Sequence, residues 1–215
     1  MKKCLIAANG LLTKAELERF TKLNKPRKTI DIIACDGASD FLVKEKITPD
    51  VVIGDMDSAS AATIRSITAA GIPVIKQAAQ DKNDLEKALD YALSEKYTEI
   101  NVIGFTGKRF DHVLNNLSIL LRYSKKTMLK LYDDKFRYYF IREKIELTCA
   151  IGTIISLVPL SKALGIKTTG LKYPLNKESL KFGKREGALN ESVSETVSVK
   201  IKKGVLLVCV SVKAK

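Results

Sequence analysis

The chain contains no tryptophan, a single histidine (His112) and only four cysteines, Cys4, Cys35, Cys149 and Cys209. No two cysteines form a C-x-x-C pair, so zinc-ribbon and dithiol redox motifs are excluded. Each lies in an apolar stretch, where cysteine behaves as a small hydrophobe. Reduced thiols in a cytoplasm are therefore expected, rather than a disulfide framework. No run approaches the roughly 18 apolar residues of a membrane helix. The start, Met1–Gly10, has the basic-then-apolar look of a signal peptide, but Asn9-Gly10 cuts the apolar part short, and it reads as a buried first strand. Internal repeats and low-complexity segments are also missing. What remains is a cytoplasmic globular protein with no membrane partner. Its 215 residues suit one large domain or two small ones and can bury most of their apolar surface unaided.

Acidic residues are scarce in one half only. Residues 1–120 hold 17 Lys and Arg against 16 Asp and Glu, whereas residues 121–215 hold 20 against 8, giving the net +13 of the chain. Such asymmetry suits nucleic acid, an anionic surface or a phosphate-bearing substrate. The basic residues alternate with strand residues and lack interleaved aromatics, and no RNP, G-x-x-G or helix-turn-helix pattern accompanies them. Nucleic acid is therefore not the expected partner.

Up to about residue 125 the sequence alternates short apolar runs with amphipathic stretches. Leu5–Ala8, Ile30–Cys35, Val51–Gly54, Pro73–Ile75 and Ile100–Gly104 read as buried strands. Ala15–Leu23, Ser39–Lys46, Ser60–Ala70, Asp84–Leu93 and His112–Tyr123 read as helices. Strand–helix alternation predicts a parallel sheet with helices on both faces, and such sheets bind ligands beyond the carboxyl ends of their strands. From about residue 126 the pattern becomes all-β. Lys130–Asp134, Phe136–Arg142, Thr153–Val158 and Thr196–Ile201 are strand-like, and Lys202-Lys203-Gly204 before Val205–Val212 signals a hairpin. The expected domains are 1–125 and 126–215.

Aspartates collect at the predicted strand ends. Pro49–Ser58 runs through a buried strand to Gly54 and then Asp55-Met56-Asp57-Ser58. In an extended chain Asp55 and Asp57 point the same way, and two facing carboxylates call for a cation such as magnesium. The bland alternative is a solvated acidic turn with Ser58 as a helix cap. Asp36-Gly37 follows another strand, with a glycine that permits a sharp turn. Asp81, Asn83 and Asp84 precede or open a helix, where capping explains them equally well. Gly104-Phe105-Thr106-Gly107-Lys108-Arg109-Phe110-Asp111-His112 is a glycine loop between strand and helix, an arrangement that holds phosphates, although it lacks the Walker pattern. Arg109 suits a forked grip on phosphate oxygens, and Asp111 either fixes that arginine or accepts a proton. A lone histidine such as His112 serves a structural slot as readily as a chemical one.

These segments resemble the thiamine pyrophosphokinase family. Cys35–Ala38 resembles its A-D-G-G-A, Pro49–Ser58 its P-D-x-(I/V)-x-G-D-x-D-S, and Asp81–Leu89 its K-D-x-T-D-x-x-x-A-L. Gly107–Asn116 resembles its G-G-R-x-D-H-x-L-x-N, Thr168–Leu175 its T-T-G-L-K-(W/Y)-P-L, and Asn190-Glu191 its S-N-E. The order matches along nearly the whole chain. Ala38, Asn83, Lys108 and Leu189 depart from the pattern, the last where the family has serine.

The resemblance implies an N-terminal Rossmann-like parallel α/β domain that binds ATP, and a C-terminal β-sandwich-like domain that binds thiamine and dimerises. It implies a homodimer with the active site at the subunit interface. The reaction would move the pyrophosphate of ATP onto the thiamine hydroxyl, releasing AMP, with Mg2+ as cofactor. The metal ligands would be Asp55, Asp57 and Asp84, with Asp36 adding a contact, and Arg109 and Asp111 would complete the catalytic set. ATP would meet Asp36, Gly37, Gly54, Ser58, Asp81, Asn83, Thr106, Gly107, Arg109 and His112, and thiamine would meet Tyr173, Asn190 and Glu191. Two other classes compete. One is a different aspartate–magnesium phosphoryl or nucleotidyl transferase; an aspartyl-phosphate phosphatase is disfavoured because the first strand ends in Asn9-Gly10. The other is a basic nucleic-acid-binding protein, which leaves the aspartates unexplained.

Overall fold

The structure, a computed structural model, describes residues 2–23, 30–76 and 81–214. It divides into two compact units, Met1–Asp134 and Lys135–Lys215. The division falls beyond the expected 125/126 boundary because the strand after Tyr123 pairs in parallel with a strand of the first unit.

In the first unit, β1 (Lys3–Ala7), β2 (Ile30–Cys35), β3 (Val51–Gly54), β4 (Val74–Lys76), β5 (Glu99–Ile103) and β6 (Met128–Tyr132) lie in the order β6-β5-β1-β2-β3-β4. Every pairing is parallel. Parallel neighbours need a crossover, and the crossovers carry α1 (Lys14–Leu23), α2 (Ala38–Lys44), α3 (Ala61–Ala69), α4 (Asp84–Ser94) and α5 (Phe110–Tyr123). All residues of β3 and β5 are buried. That is why β3 reads as an unbroken apolar run instead of an alternating one, whereas β5 also buries the polar Glu99 and Asn101. The bland alternative of Ser58 as a helix cap does not apply: the cap of the helix after β3 is Ser60, whose hydroxyl accepts the Thr63 N–H.

Winding proceeds outward from β1 to β4, then restarts on the other side of β1 with β5. At this reversal the loops after β1 and β5 leave in different directions, opening a crevice. They first run side by side: the Ala8, Gly10 and Leu11 N–H groups donate to the carbonyls of Ile103, Gly104 and Thr106. Their approach is close enough that a Cβ on Gly10 would stand 2.2 Å from the Gly104 oxygen and 2.3 Å from that of Thr106.

The second unit contains β7 (Phe136–Ile141), β8 (Lys144–Thr148), β9 (Thr153–Pro159), β10 (Lys162–Thr169), β11 (Asn176–Lys181), β12 (Gly187–Glu191), β13 (Thr196–Lys200) and β14 (Leu206–Ala214). They form antiparallel arrays β12-β9-β14-β7 and β11-β10-β13-β8. Alternate residues of β9 are buried, as expected of strands with one face on a core. That core joins Ile155, Leu157, Val208 and Val210 of the first array to Ile166, Val197 and Val199 of the second. The hairpin expected at Lys202-Lys203-Gly204 is not one. β13 pairs with β8 and β10, β14 with β7 and β9, so this turn carries the chain from one array to the other.

Replacing Gly10 by alanine drives a methyl group into two carbonyl oxygens. Gly10→Ala is expected to cost about 1–3 kcal/mol of stability, read as a lower denaturant midpoint. An unchanged midpoint would show that the two loops part freely.

Candidate active site

Because all six strands of the first unit run the same way, their carboxyl ends share one edge, and the residues that follow them converge there. Asp36 comes directly after β2, and Asp55 and Asp57 follow β3. Their carboxylate oxygens lie within 4.8 Å of one another. The chain does not stay extended between the last two: Met56 has φ +68, a left-handed conformation rare for a side chain of its size. A tight turn, rather than strand alternation, brings the pair together. Its strain is offset by the Asp57 N–H donating to Asp55 Oδ1 (3.4 Å) and the Ser58 hydroxyl to Asp57 Oδ1 (3.0 Å). Desolvation works to raise the Asp55 carboxyl, but hydrogen bonds from Asp57 outweigh it and hold the group below its ordinary range.

Asp36 is fully buried. Its Oδ2 accepts the Ser58 N–H at 3.0 Å, while Oδ1 has no hydrogen-bond partner. A buried carboxylate oxygen without a donor is costly unless a ligand satisfies it. Gly54 makes room here, since a Cβ on it would lie 2.6 Å from Asp36 Cβ and 3.4 Å from the Asp84 carboxyl carbon. Asp84 is thus next to the cluster, yet its Oδ1 faces the ammonium of buried Lys87 at 3.4 Å. Burial raises the Asp84 carboxyl above its usual range; Lys87 opposes the shift, and Asp55 and Asp36 add to it. Among the described residues the close trio is therefore Asp36, Asp55 and Asp57, with Asp84 beside it.

A cleft of about 330 Å³ opens at the same edge, within the range of small-molecule sites. Of the expected nucleotide contacts, Ser58, Asn83, Gly107, Arg109 and His112 line it, as does Asp84. Asp36, Gly37, Gly54, Asp81 and Thr106 are not in its lining. Gly37 instead packs under the Asn9 side chain, and the Thr106 carbonyl receives Leu11 N–H. Asn83 caps α4 by accepting the Glu86 N–H at 2.9 Å, and its amide donates to Asn116, whose own amide donates to the Phe105 carbonyl. Arg109 precedes α5 and holds Asp111 through two contacts, Nε at 3.1 Å and Nη2 at 2.5 Å. That guanidinium keeps the Asp111 carboxyl below the ordinary range. Both side chains are exposed, leaving Arg109 accessible to an anion at the mouth of the cleft.

Several contributors were not singled out from sequence. Asn9 and Gly10 line the cleft, and Lys108 donates to the carbonyl and side-chain oxygen of Asn9 at 3.0 and 2.9 Å. Their position after β1 is the signal that would have found them. Glu16 resembles any first-turn acid, yet it is 1% exposed. One oxygen accepts the Gly104 N–H at 2.9 Å, and the other the Thr13 N–H in a capping box. It ties α1 to the start of the glycine loop.

The expected thiamine contacts lie in the second unit. Asn190 is buried, and its side chain is occupied: Oδ1 accepts the Tyr173 and Glu191 N–H groups, and Nδ2 donates to the Tyr173 carbonyl. It acts as a clamp on the segment that presents Tyr173, which is 64% exposed. Leu189 has φ +58 and is exposed.

Carboxylates and a glycine loop gathered where a parallel sheet reverses its winding define an α/β enzyme of the phosphate-handling class. Residues 23–132 match the family model "Thiamin pyrophosphokinase, catalytic domain", and residues 142–206 match "Thiamin pyrophosphokinase, vitamin B1 binding domain". The chain belongs to the thiamin pyrophosphokinase family. It is 30% identical over 180 residues to the thiamine pyrophosphokinase of Bacillus subtilis, covering 81% of this chain and 84% of that one. It is 28% identical to thiamine pyrophosphokinase 2 of Arabidopsis thaliana over 74% of this chain, which spans 64% of the plant protein. A crystal structure of thiamine pyrophosphokinase from Bacillus subtilis matches with a TM-score of 0.85 at 27% identity, over 98% of this chain and 99% of that one.

The site's geometry makes Glu16 a pH-dependent support. Burial pushes its carboxyl up from 4.5 to about 7, against the donors Gly104 and Thr13 and with help from Asp133 and Asp134. The native carboxyl then binds its proton more tightly than the unfolded one. Its contribution is complete below about pH 4.5 and is lost as pH rises through 7, a difference of about 3 kcal/mol. Melting temperatures of the native protein and Glu16→Gln, compared from pH 5 to 8, should diverge, with the native protein losing ground as pH rises. Parallel curves would remove Glu16 from this role.

Proposed function

We propose that the chain transfers the pyrophosphate group of ATP to the hydroxyl of thiamine, giving thiamine diphosphate and AMP. The observation that carries this reading is the succession of both family domains along the chain, with the carboxylate trio at the sheet edge of the first. On this reading the first unit is a Rossmann-like ATP-binding catalytic domain, and the second a β-sandwich-like domain for thiamine and dimerisation.

The trio fits a divalent cation. Its donors are hard carboxylate oxygens, close together, and the unpartnered Oδ1 of Asp36 lacks only a positive ligand. Asp36, Asp55 and Asp57 would hold magnesium, with Asp84 beside them, and the ion would supply charge neutralisation for the phosphates of ATP. The remaining work falls to the protein's own groups. On this reading the phosphate chain would lie between the α4 N-terminus at Asn83 and the loop Gly107–Arg109, both of which line the cleft. Arg109, oriented by Asp111, meets the charge that spreads over the transferred group. Thiamine is placed by the Tyr173 segment and Glu191, with Asn190 as the clamp behind them. A homodimer, in which the first unit of one copy faces the second unit of another, brings these two sets together.

AMP release from ATP should require both thiamine and magnesium. Asp57→Ala should lower turnover on the order of 10²–10³-fold, while its melting temperature without metal stays level or rises, because one of several mutually repelling charges is gone. If that variant unfolds, the aspartates are structural; if AMP or ADP appears without thiamine, another phosphoryl transfer is at work. Sedimentation should give a dimer, and a monomer with full turnover would exclude the shared site.

A further inference from the structure

The second unit carries a lysine arrangement that the proposed reaction does not use. In the array β11-β10-β13-β8, Lys167 of β10 stands directly opposite Lys200 of β13, and Lys200 directly opposite Lys144 of β8. Residues in register across neighbouring strands project from the same face, with strands about 4.8 Å apart. Three ammonium-bearing chains therefore stand abreast within roughly 10 Å. Like charges placed directly opposite destabilise a sheet. Among the described residues, only Lys144 of the row has an acidic partner, Glu146 at 3.2 Å.

The row borders a groove of about 580 Å³ lined by Gly165, Lys167, Lys177, Lys200, Ile201 and Lys202. A break in the β10 register between Ala163 and Ile166 shapes it. There Gly165 takes φ +64 and a Cβ would meet Lys202 Cβ at 2.8 Å. Lys177, on the neighbouring strand, is itself held at φ +58. Among the described residues, none of Lys167, Lys177, Lys200 and Lys202 makes an ion pair; the nearby Glu178 is committed to Arg185 at 2.6 Å.

We propose that this groove is a second anion site, built for the phosphate chain of an oligophosphate. Four uncompensated ammonium groups match the roughly four negative charges of a triphosphate, and lysine serves phosphate as a point charge. The volume falls within the range of small-ligand sites. Among the described residues the lining has no aromatic side chain, and so lacks a stacking platform of the kind single-stranded nucleic acid uses. The phosphate chain is what the groove recognises, whether inorganic or carried by a nucleotide.

The test is calorimetric titration of the full-length protein, without magnesium and at low salt, with tripolyphosphate, ATP and a 20-nucleotide DNA in separate arms. Lys167→Gln/Lys200→Gln should weaken tripolyphosphate binding at least tenfold. Arg109→Ala, which alters the cleft of the first unit, should leave that component in place. An equal loss for ATP assigns the groove to phosphate chains of either source, and a loss for tripolyphosphate alone assigns it to the inorganic form. The double variant should melt no lower than the native protein, because repulsion is relieved, and tripolyphosphate should raise the melting temperature of the native protein only. Equal tripolyphosphate affinity in both proteins overturns the proposal. So does binding confined to the DNA.

Discussion

Three carboxylates held within 4.8 Å of one another set the terms for the rest of the first unit. Such a cluster repels itself, and the fold must hold it together before any counter-charge arrives. Parallel pairing of β2 and β3 brings the strand ends into register. The missing side chain at Gly54 admits Asp36, the left-handed Met56 folds Asp57 back toward Asp55, and Ser58 donates its N–H to Asp36 and its hydroxyl to Asp57. Lys87, buried beneath Asp84, is the one positive group that reaches in from α4. Each of these is a local concession, and the extended hydrophobic contacts of the sheet outweigh them.

The sheet edge is also where chain order and chemistry meet. Its winding reverses between β1 and β5, so the crevice lies over those two strands, while the acidic residues follow β2 and β3. The cleft spans both, with Asn9 and Gly107–Arg109 on one side and Ser58 and Asp84 on the other. Charged and hydrogen-bonding groups therefore face the interior of the cleft from two directions.

The legible parts of the sequence were those with local causes. Buried strands of the first unit announce themselves as apolar runs ending in Gly or Asp, and the aspartates at those ends were found for that reason. β11 and β12 were not, because Asn176–Lys181 and Gly187–Glu191 each bury a single residue and show no clear alternation. The turn at Lys202–Gly204 has hairpin chemistry, yet the choice of partner strands depends on distant residues. β6 looked like the beginning of the all-β part because its pairing with β5 is equally non-local. In the second unit, Asn190 was expected as a contact residue from the family resemblance alone. Only the geometry shows its amide spent on the Tyr173 backbone. Glu16 was invisible for the opposite reason: nothing in its neighbours says that the acid of a first helical turn will end up inside.

One small relay has a mechanical meaning. The Asn83 amide reaches Asn116 and the Asn116 amide reaches the Phe105 carbonyl, so α4, α5 and the start of the loop after β5 are spliced by two side chains of fixed direction. Reversing either amide would set donor against donor or acceptor against acceptor. The floor of the cleft consequently behaves as a gauge block with a set width. A molecule that enters must conform to that width, and the ordering entropy that a softer pocket would lose on each encounter has already been given up once, in folding.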